Sequence, residues 1–242
     1  DDVIIDTVAT VLLNGSTTIN SLQLGSSTAS VAATLRFDYN ATTSDPLIID
    51  DGDFVIHNGA TLTHVSGSTA TVLGAISVDV QTGDFTINSG GTVDVSDAGY
   101  DSGADTSGNG PGAGQSPSFG SAGGGGAYGG DGATSLNGAL GGSAYGSTTY
   151  PAQLGSAGGN ANSTSGGEGG GLAIFNVTGT TTIDGSIVAN GENGESLALD
   201  GGGGGSGGGI NLTTGGLEGT GSVTANGGTG NATSEDGGGG SG

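Results

Sequence analysis

The chain has 242 residues and a formal net charge of -22, because 23 acidic side chains are opposed by one basic residue, Arg36. A chain this poor in basic residues cannot neutralise phosphate groups, which excludes nucleic acid and anionic membrane surfaces as partners. It has no Cys, and no apolar run approaches the roughly 20 residues that cross a bilayer, so thiol chemistry and membrane insertion are excluded too.

Short stretches in which apolar and polar residues alternate predict β-strands along the first half of the chain. No apolar stripe with helical spacing is longer than one turn, and the abundant Gly, Thr, Ser and Val disfavour helix interiors. In chain order the predicted strands begin with Val3, Ile4 and Ile5, residues 18 to 24, Leu35 with Phe37, and Leu47 with Ile48 and Ile49.

Internal repeats follow these strands. Residues 53–62 read DFVIHNGATL and return 31 positions later as DFTINSGGTV at residues 84–93. The segment GSIVANG at 185–191 returns 36 positions later as GSVTANG at 221–227. The two families are linked because Gly91-Thr92-Val93 occupies the place in its repeat that Gly185-Ser186-Ile187 occupies in the later one.

Repeats of 31 and 36 residues that each hold two or three short strands suit one turn of a parallel β-helix. In that fold equivalent residues stack about 4.8 Å apart, and narrow ladders of aliphatic residues fill the interior. The sequence therefore predicts an all-β, right-handed parallel β-helix, with the hand taken from the usual crossover rule.

The repeated motifs resemble those of glycine-rich right-handed parallel β-helix surface and adhesin-like proteins of bacteria and archaea. The D-F-x-I-x-x-G-x-T-[LV] pattern and the G-G-G-x-[IL]-x-[LI] runs that lead to A-N-G carry this resemblance over most of residues 1–99 and 166–242. The resemblance implies an extracellular, repetitive architecture and names no ligand.

Residues 100–165 interrupt the repeats and hold four of the five Tyr. The predicted organisation is β-helix coils over 1–99, a Gly- and Tyr-rich insertion packed on them over 100–165, and Gly-rich coils over 166–242. Three interpretations of the insertion remain open: an ordered loop, disorder, or extended polyproline-II-like helices packed side by side, since Gly alone lets such backbones touch. Its interrupted Gly runs are similar in composition to those of phage tail-tip adhesins and springtail antifreeze proteins.

Acidic clusters are the candidates for a metal site. Carboxylates and free carbonyls in a Gly-rich corner suit Ca²⁺, which takes six to eight oxygen ligands, while the alternative is a solvated surface that needs charge for solubility. The candidate ligands are Asp50, Asp51 and Asp53 in one corner, and Asp94, Asp97, Asp101 and Asp105 after the second repeat.

Catalysis finds little support in the sequence. Cleavage of acidic polysaccharides, a reaction of many β-helix enzymes, needs Lys or Arg, and this chain offers only Arg36. Asp50 and Asp51 are neighbours that point to opposite faces of a strand, which spoils a glycosidase pair. His57 and His64 are better explained as structural residues than as ligands, so the prediction is that the protein is not an enzyme.

Two further sets of residues are candidates for modification and for binding. Glycosylation candidates are the sequons at Asn14, Asn40, Asn162, Asn176, Asn211 and Asn231. Candidates for contact with a glycan or cell-surface receptor are Tyr100, Tyr128, Tyr145 and Tyr150, since aromatic rings stack on such ligands.

The functional prediction is an extracellular structural protein, a rigid rod that assembles end to end into a surface filament or matrix fibre. The chain stops within a Gly run that precedes a strand in the previous repeat, so strand addition by another copy is expected, with Val3, Ile4 and Ile5 as donor. The alternatives are an adhesin that binds glycans or a receptor through the Gly/Tyr-rich loop, and a β-helix enzyme acting on polysaccharide.

Overall fold

The computed structural model describes residues 1–39, 45–66, 74–103, 107–118, 122–197, 200–230 and 238–242. Within these ranges the protein is all-β and has no helix. The strands are β1 (Asp2–Ile5), β2 (Thr10–Leu13), β3 (Thr17–Ile19), β4 (Ser21–Leu24), β5 (Thr34–Phe37), β6 (Leu47–Ile49), β7 (Phe54–Ile56), β8 (Thr61–His64), β9 (Ile76–Val80), β10 (Phe85–Ile87), β11 (Thr92–Asp94), β12 (Leu172–Ile183), β13 (Ser186–Val188), β14 (Ser196–Leu197), β15 (Asp200–Gly201), β16 (Gly209–Glu218) and β17 (Ser222–Thr224).

From β1 to β11, each strand pairs in parallel with the strand three places before or after it, so the chain passes through three faces and returns beside its own previous circuit. The first face holds β1, β4, β7 and β10, the second holds β2, β5, β8, β11, β13 and β17, and the third holds β3, β6 and β9. The long strands β12 and β16 turn the corner from the third face to the first, which joins those two faces into one sheet. We call one circuit a coil, and this stacked arrangement fits a parallel β-solenoid.

The predicted repeats stack in the predicted register. Phe54 and Ile56 of one repeat pair with Phe85 and Ile87 of the next. The link between the two repeat families is also confirmed, because Thr92 of β11 pairs with Ser186 of β13. The stretch from 18 to 24, predicted as one unit, spans parts of two strands on different faces, since the chain turns a corner at Asn20.

Aliphatic and aromatic ladders fill the space between the three faces. Phe85 lies between Phe54 and Phe175, with ring centroids 4.9 Å and 4.8 Å apart, and all three side chains are fully buried. Offset stacking of this kind adds to the free energy gained from burial alone. The narrow interior therefore derives its packing from residues that repeat from coil to coil.

The Gly runs form a second ordered body. Along residues 202–208, successive backbone N–H groups donate to three different neighbouring segments. Residues three apart donate to the same segment. A polyproline-II helix has three residues per turn and no internal hydrogen bonds. The three-residue period of these bonds therefore indicates a polyproline-II helix that is hydrogen-bonded to its neighbours. The donor and acceptor pairs are Gly202 to Glu195, Gly205 to Glu192 and Gly208 to Ala189; Gly203 to Gly159 and Ser206 to Ser156; and Gly204 to Gly238 and Gly207 to Ser241.

The carbonyls of the same segment accept from three further segments, so 201–208 has six bonded neighbours. Gly123 and Gly126 donate to Gly201 and Gly204, again three residues apart. Gly167 and Gly170 donate to Gly203 and Ser206, and Gly228 donates to Gly205. This is hexagonal packing of extended helices, and it supports the side-by-side interpretation of the Gly-rich region.

We call this body the glycine bundle. Its segments come from the predicted insertion and also from the later coils, so residue 165 is not a structural boundary. Gly158 and Gly167, on the two sides of that boundary, are joined by a hydrogen bond of 2.9 Å. The bundle comprises the described residues within 99–117, 122–145, 154–171, 189–195, 201–209, 225–230 and 238–242.

A buried histidine joins the coils to the bundle. The His64 ring is 3% exposed; its Nδ1 lies 2.6 Å from the carbonyl of Val65, and its Nε2 accepts the N–H of Leu172 at 3.1 Å. Only a neutral ring with its proton on Nδ1 satisfies both partners. Burial accordingly lowers the pKa of His64 to about 4.

The contribution of His64 to the stability of the fold should be lost on acidification. The pKa in the folded chain lies below the ordinary value of 6.5, so this contribution is complete above pH 6.5 and is lost as the pH falls toward 4. An NMR titration of the imidazole Cε1 proton should give a midpoint near 4. A midpoint near 6.5 would contradict the buried, neutral ring.

Candidate functional site

The two ends of the coil stack expose the features with most potential for function. One inward-facing column on the second face runs through all its strands. Its members are buried in the interior coils and exposed in the first and last coils that the structure describes. In chain order Val11, Leu35, Leu62, Val93, Ile187 and Val223 are 39%, 4%, 0%, 0%, 0% and 52% exposed.

The first coil presents an apolar strand edge. The residues predicted as the donor, Val3, Ile4 and Ile5, lie in β1, which pairs only with β4 among the residues that the structure describes. Ile4 is 61% exposed, whereas Val3 and Ile5 are half-buried against the core. The prediction missed that β2 also forms this edge, with Leu12 45% exposed. Its apolar residues lacked the flanking repeat that identifies the later strands.

The last coil presents the opposite edge. Within the described ranges, strand β17 pairs only with β13, and β16 pairs only with β12. Leu217 at the end of β16 is 64% exposed although it lies in register with the fully buried Thr181. Both edges thus combine unpaired strand backbone with apolar side chains, which natural sheets rarely leave uncovered.

Carboxylates at the corners of the coils accept backbone hydrogen bonds from the next coil. Asp53 accepts the N–H of Asp84 at 2.9 Å, and Asp84 accepts the N–H of Thr180 at 2.7 Å. Asp184 repeats the arrangement with the N–H of Thr220 at 3.0 Å. These acidic side chains therefore satisfy backbone donors where the strands end.

Four carboxylates lie close together where the coils meet the bundle: Asp97, Asp101, Glu168 and Glu192. Desolvation, together with repulsion from the other three groups, raises the pKa of Glu168 to about 7. The pKa of Asp97 is raised by burial and by Glu192 and Asp94. Asp97 also has a left-handed backbone with φ 53, a conformation that Asp tolerates better than most residues. These four carboxylates therefore repel one another when ionised.

The contribution of Glu168 to stability has the opposite pH dependence to that of His64 and should rise on acidification from pH 7 toward pH 4.5. Its pKa is higher in the folded chain than the ordinary 4.5, so the folded state gains protons first and this contribution is lost as the pH rises through 7. The isosteric Glu168→Gln variant should show a smaller drop in melting temperature between pH 5 and pH 8 than the parent. Identical pH profiles would show that the repulsion is absent.

The predicted Ca²⁺ site has no geometric support. In the part of the chain that the structure describes, no three His, Asp or Glu side chains are grouped so as to hold a metal ion. Asp50 and Asp51 are exposed at a corner, and Asp94 accepts the N–H of Ser96 at 2.9 Å. Asp101 accepts a hydrogen bond from Asn109, and Asp105 lies outside the described residues.

Three of the four candidate tyrosines pack inside the protein. Tyr128 is 5% exposed and meets Tyr145 edge to face, with ring centroids 5.1 Å apart. The Tyr145 hydroxyl donates to the carbonyl of Leu154 and accepts from Ser156, and burial raises its pKa. Tyr100 packs against the core. Tyr150 is 57% exposed, whereas Tyr100 and Tyr145 are half-buried.

A polar cavity of about 550 Å³ opens beside the loop that follows residue 159. The loop is fixed by paired backbone bonds between Ala161 and Thr164, and by Asn160, whose side chain bonds Gly103 at 3.2 Å and Gly166 at 2.8 Å. The lining residues that the structure describes carry amide and hydroxyl groups and no charge. They are Gly103, Ser116, Pro117, Asn160, Ala161, Asn162, Ser163, Thr164 and Ser165.

The sequons differ in accessibility. Asn14 and Asn162 are exposed, and Asn176 in β12 is half-buried. Asn211 in β16 is 7% exposed, so the folded chain does not present its amide to solvent. Asn40 and Asn231 lie outside the described residues.

Comparison of the chain with protein-family models, with characterised proteins and with solved structures finds no match. Among the residues described, no helix is long and apolar enough to span a membrane.

Proposed function

We propose that the protein is a non-enzymatic structural protein outside the cell, a right-handed β-helix rod that assembles end to end into a surface filament or matrix fibre. The observation that carries this proposal is the exposure of one inward-facing column at both ends of the stack, at Val11 and Val223. Stacking another coil on either end buries this apolar surface and pairs the strand edge beneath it.

The surface chemistry supports an extracellular setting. Trypsin-like proteases cleave after Lys or Arg, and Arg36 is the single such residue in the chain. The chain has no Cys and no Met, so an oxidising environment finds no sulfur to modify. A net charge of -22 keeps lateral contacts between rods weak and favours contacts at the uncharged coil interior.

Electron microscopy and sedimentation at 10 mM and 1 M NaCl test the proposal. Filaments should be more abundant at 1 M, where the Debye length falls to about 3 Å and repulsion between acidic copies is screened. Val223→Asp should reduce assembly at least a hundredfold, because stacking would bury an unpaired charge. Val8→Asp is the matched control, since Val8 is 80% exposed and belongs to no strand. Monomers at every salt concentration would refute the proposal.

The cavity favours a second candidate, a module that binds neutral glycans through the Gly-rich region. Its uncharged amide and hydroxyl lining suits sugar hydroxyls better than acidic saccharides. A glycan array should then show binding that is lost in Asn160→Ala, which frees the cavity loop, while filament formation is unchanged.

A further inference from the structure

One backbone hydrogen bond recurs from coil to coil along the second face. The residue that begins each strand donates its N–H to the carbonyl of the residue preceding the strand in the coil below. The donor and acceptor pairs are Thr34 to Ala9 at 2.9 Å, Thr61 to Ala33 at 2.9 Å, Thr92 to Ala60 at 3.0 Å, Ser186 to Gly91 at 3.2 Å and Ser222 to Gly185 at 3.0 Å.

The side chains of these five donors, together with that of Thr10, form a column of hydroxyl groups on the outside of the stack. All six members are Thr or Ser, and each lies in register with the next. The hydroxyls of Ser186 and Thr92 lie 3.4 Å apart. In chain order the members are Thr10, Thr34, Thr61, Thr92, Ser186 and Ser222.

The first coil has a donor, and the last coil an acceptor, that match this recurring hydrogen bond. The carbonyl of Ala9 points to β5, so the N–H of Thr10, on the other side of the same trans peptide, points away from the stack. At the other end the N–H of Ser222 points to Gly185, so the carbonyl of Gly221 points away from the stack. One end offers the donor and the other offers the acceptor.

We propose that the end of the rod binds a second copy of this chain in one register, with the N–H of Thr10 donating to the carbonyl of Gly221 in the copy below. This inference rests on the proposed end-to-end assembly and names its register. In that register Val11 covers Val223, and Thr10 lies beside Ser222, so both the inward apolar column and the outward hydroxyl column continue across the junction.

Engineered cysteines test this register, because the chain has none of its own. Paired residues on adjacent strands lie about 4.8 Å apart, within the range of Cα distances that a disulfide spans. Thr10→Cys and Ser222→Cys in one chain lie at opposite ends of the stack, so a disulfide between them joins two copies. Oxidation at 1 M NaCl should produce a ladder of covalent oligomers on a non-reducing gel.

Two matched double variants control the experiment. Ser186→Cys with Ser222→Cys should form an intramolecular disulfide, which shows that the column has its expected spacing. Leu12→Cys with Ser222→Cys shifts the register by two residues on the same face, and it should yield at least tenfold less covalent oligomer than the Thr10 pair.

The outcomes separate this inference from the proposed function. Filaments seen by microscopy with equal cross-linking in the matched and shifted pairs, or with none in either, overturn the register and leave end-to-end assembly standing. Absence of both filaments and cross-links overturns both. A ladder confined to the Thr10 pair supports both.

Discussion

Gly203→Ala should destabilise the protein by about 3 kcal/mol or more, at the upper end of what overpacking costs. A Cβ at Gly203 collides with the carbonyl oxygen of Gly124 in the neighbouring segment. Relief requires a shift of backbone, and residues 201–208 are bonded to six segments, so one shift disturbs several hydrogen bonds. Denaturant unfolding monitored by circular dichroism measures the loss.

Gly239→Ala is the matched control within the same bundle. The atom nearest to its added Cβ is the carbonyl oxygen of Gly228 at 3.8 Å, which is ordinary contact. Its stability should stay within about 0.5 kcal/mol of the parent or rise slightly, since Ala restricts the unfolded chain. Equal destabilisation by both substitutions would contradict close backbone packing as the reason for Gly in the bundle.

Phe85→Ala should cost about 3 to 5 kcal/mol, the usual range for removing a buried aromatic ring. The ring is 0% exposed and stacks on Phe54 and Phe175, so its loss leaves a cavity between two aromatic faces that the paired strands hold in place. Thermal and denaturant unfolding should both report the loss.

Thr86→Ala tests whether the effect of Phe85 comes from the core. Thr86 is the next residue on β10, points to the outer surface and is half-buried. Its replacement should change the free energy of unfolding by less than about 1 kcal/mol. A comparable loss at both positions would mean that the strand pairing, rather than the aromatic stack, carries the stability.

The coil stack was predictable because its side chains repeat. Phe54 and Phe85 lie in register as the 31-residue spacing implies, and Ser186 and Ser222 do so for the 36-residue spacing. The link from Thr92 to Ser186 was recognised, but the hydroxyl column was missed because its earlier members, Thr10, Thr34 and Thr61, follow one another at unequal intervals. A periodicity search needs a constant interval, which the first coils do not keep.

The glycine bundle could be anticipated only as one of three alternatives. Its hydrogen bonds join backbone groups, and Gly carries no side chain whose pattern identifies a partner. The bonds from Gly204 to Gly238 and from Gly203 to Gly159 follow from three-dimensional packing alone. The same difficulty affected the tyrosines, since nothing in the sequence distinguishes Tyr128, which is buried, from Tyr150, which is exposed.

The repeating unit between Gly185 and Gly221 contributes to both bodies at once. It contains a strand of the second face, two extended Gly segments and the strand that turns the corner to the first face. Tandem duplication of this unit would lengthen the coil stack by one layer and add two extended Gly segments to the bundle. Each added segment would carry backbone donors and acceptors that face its new neighbours. A single duplication would therefore extend the coil stack and enlarge the glycine bundle together.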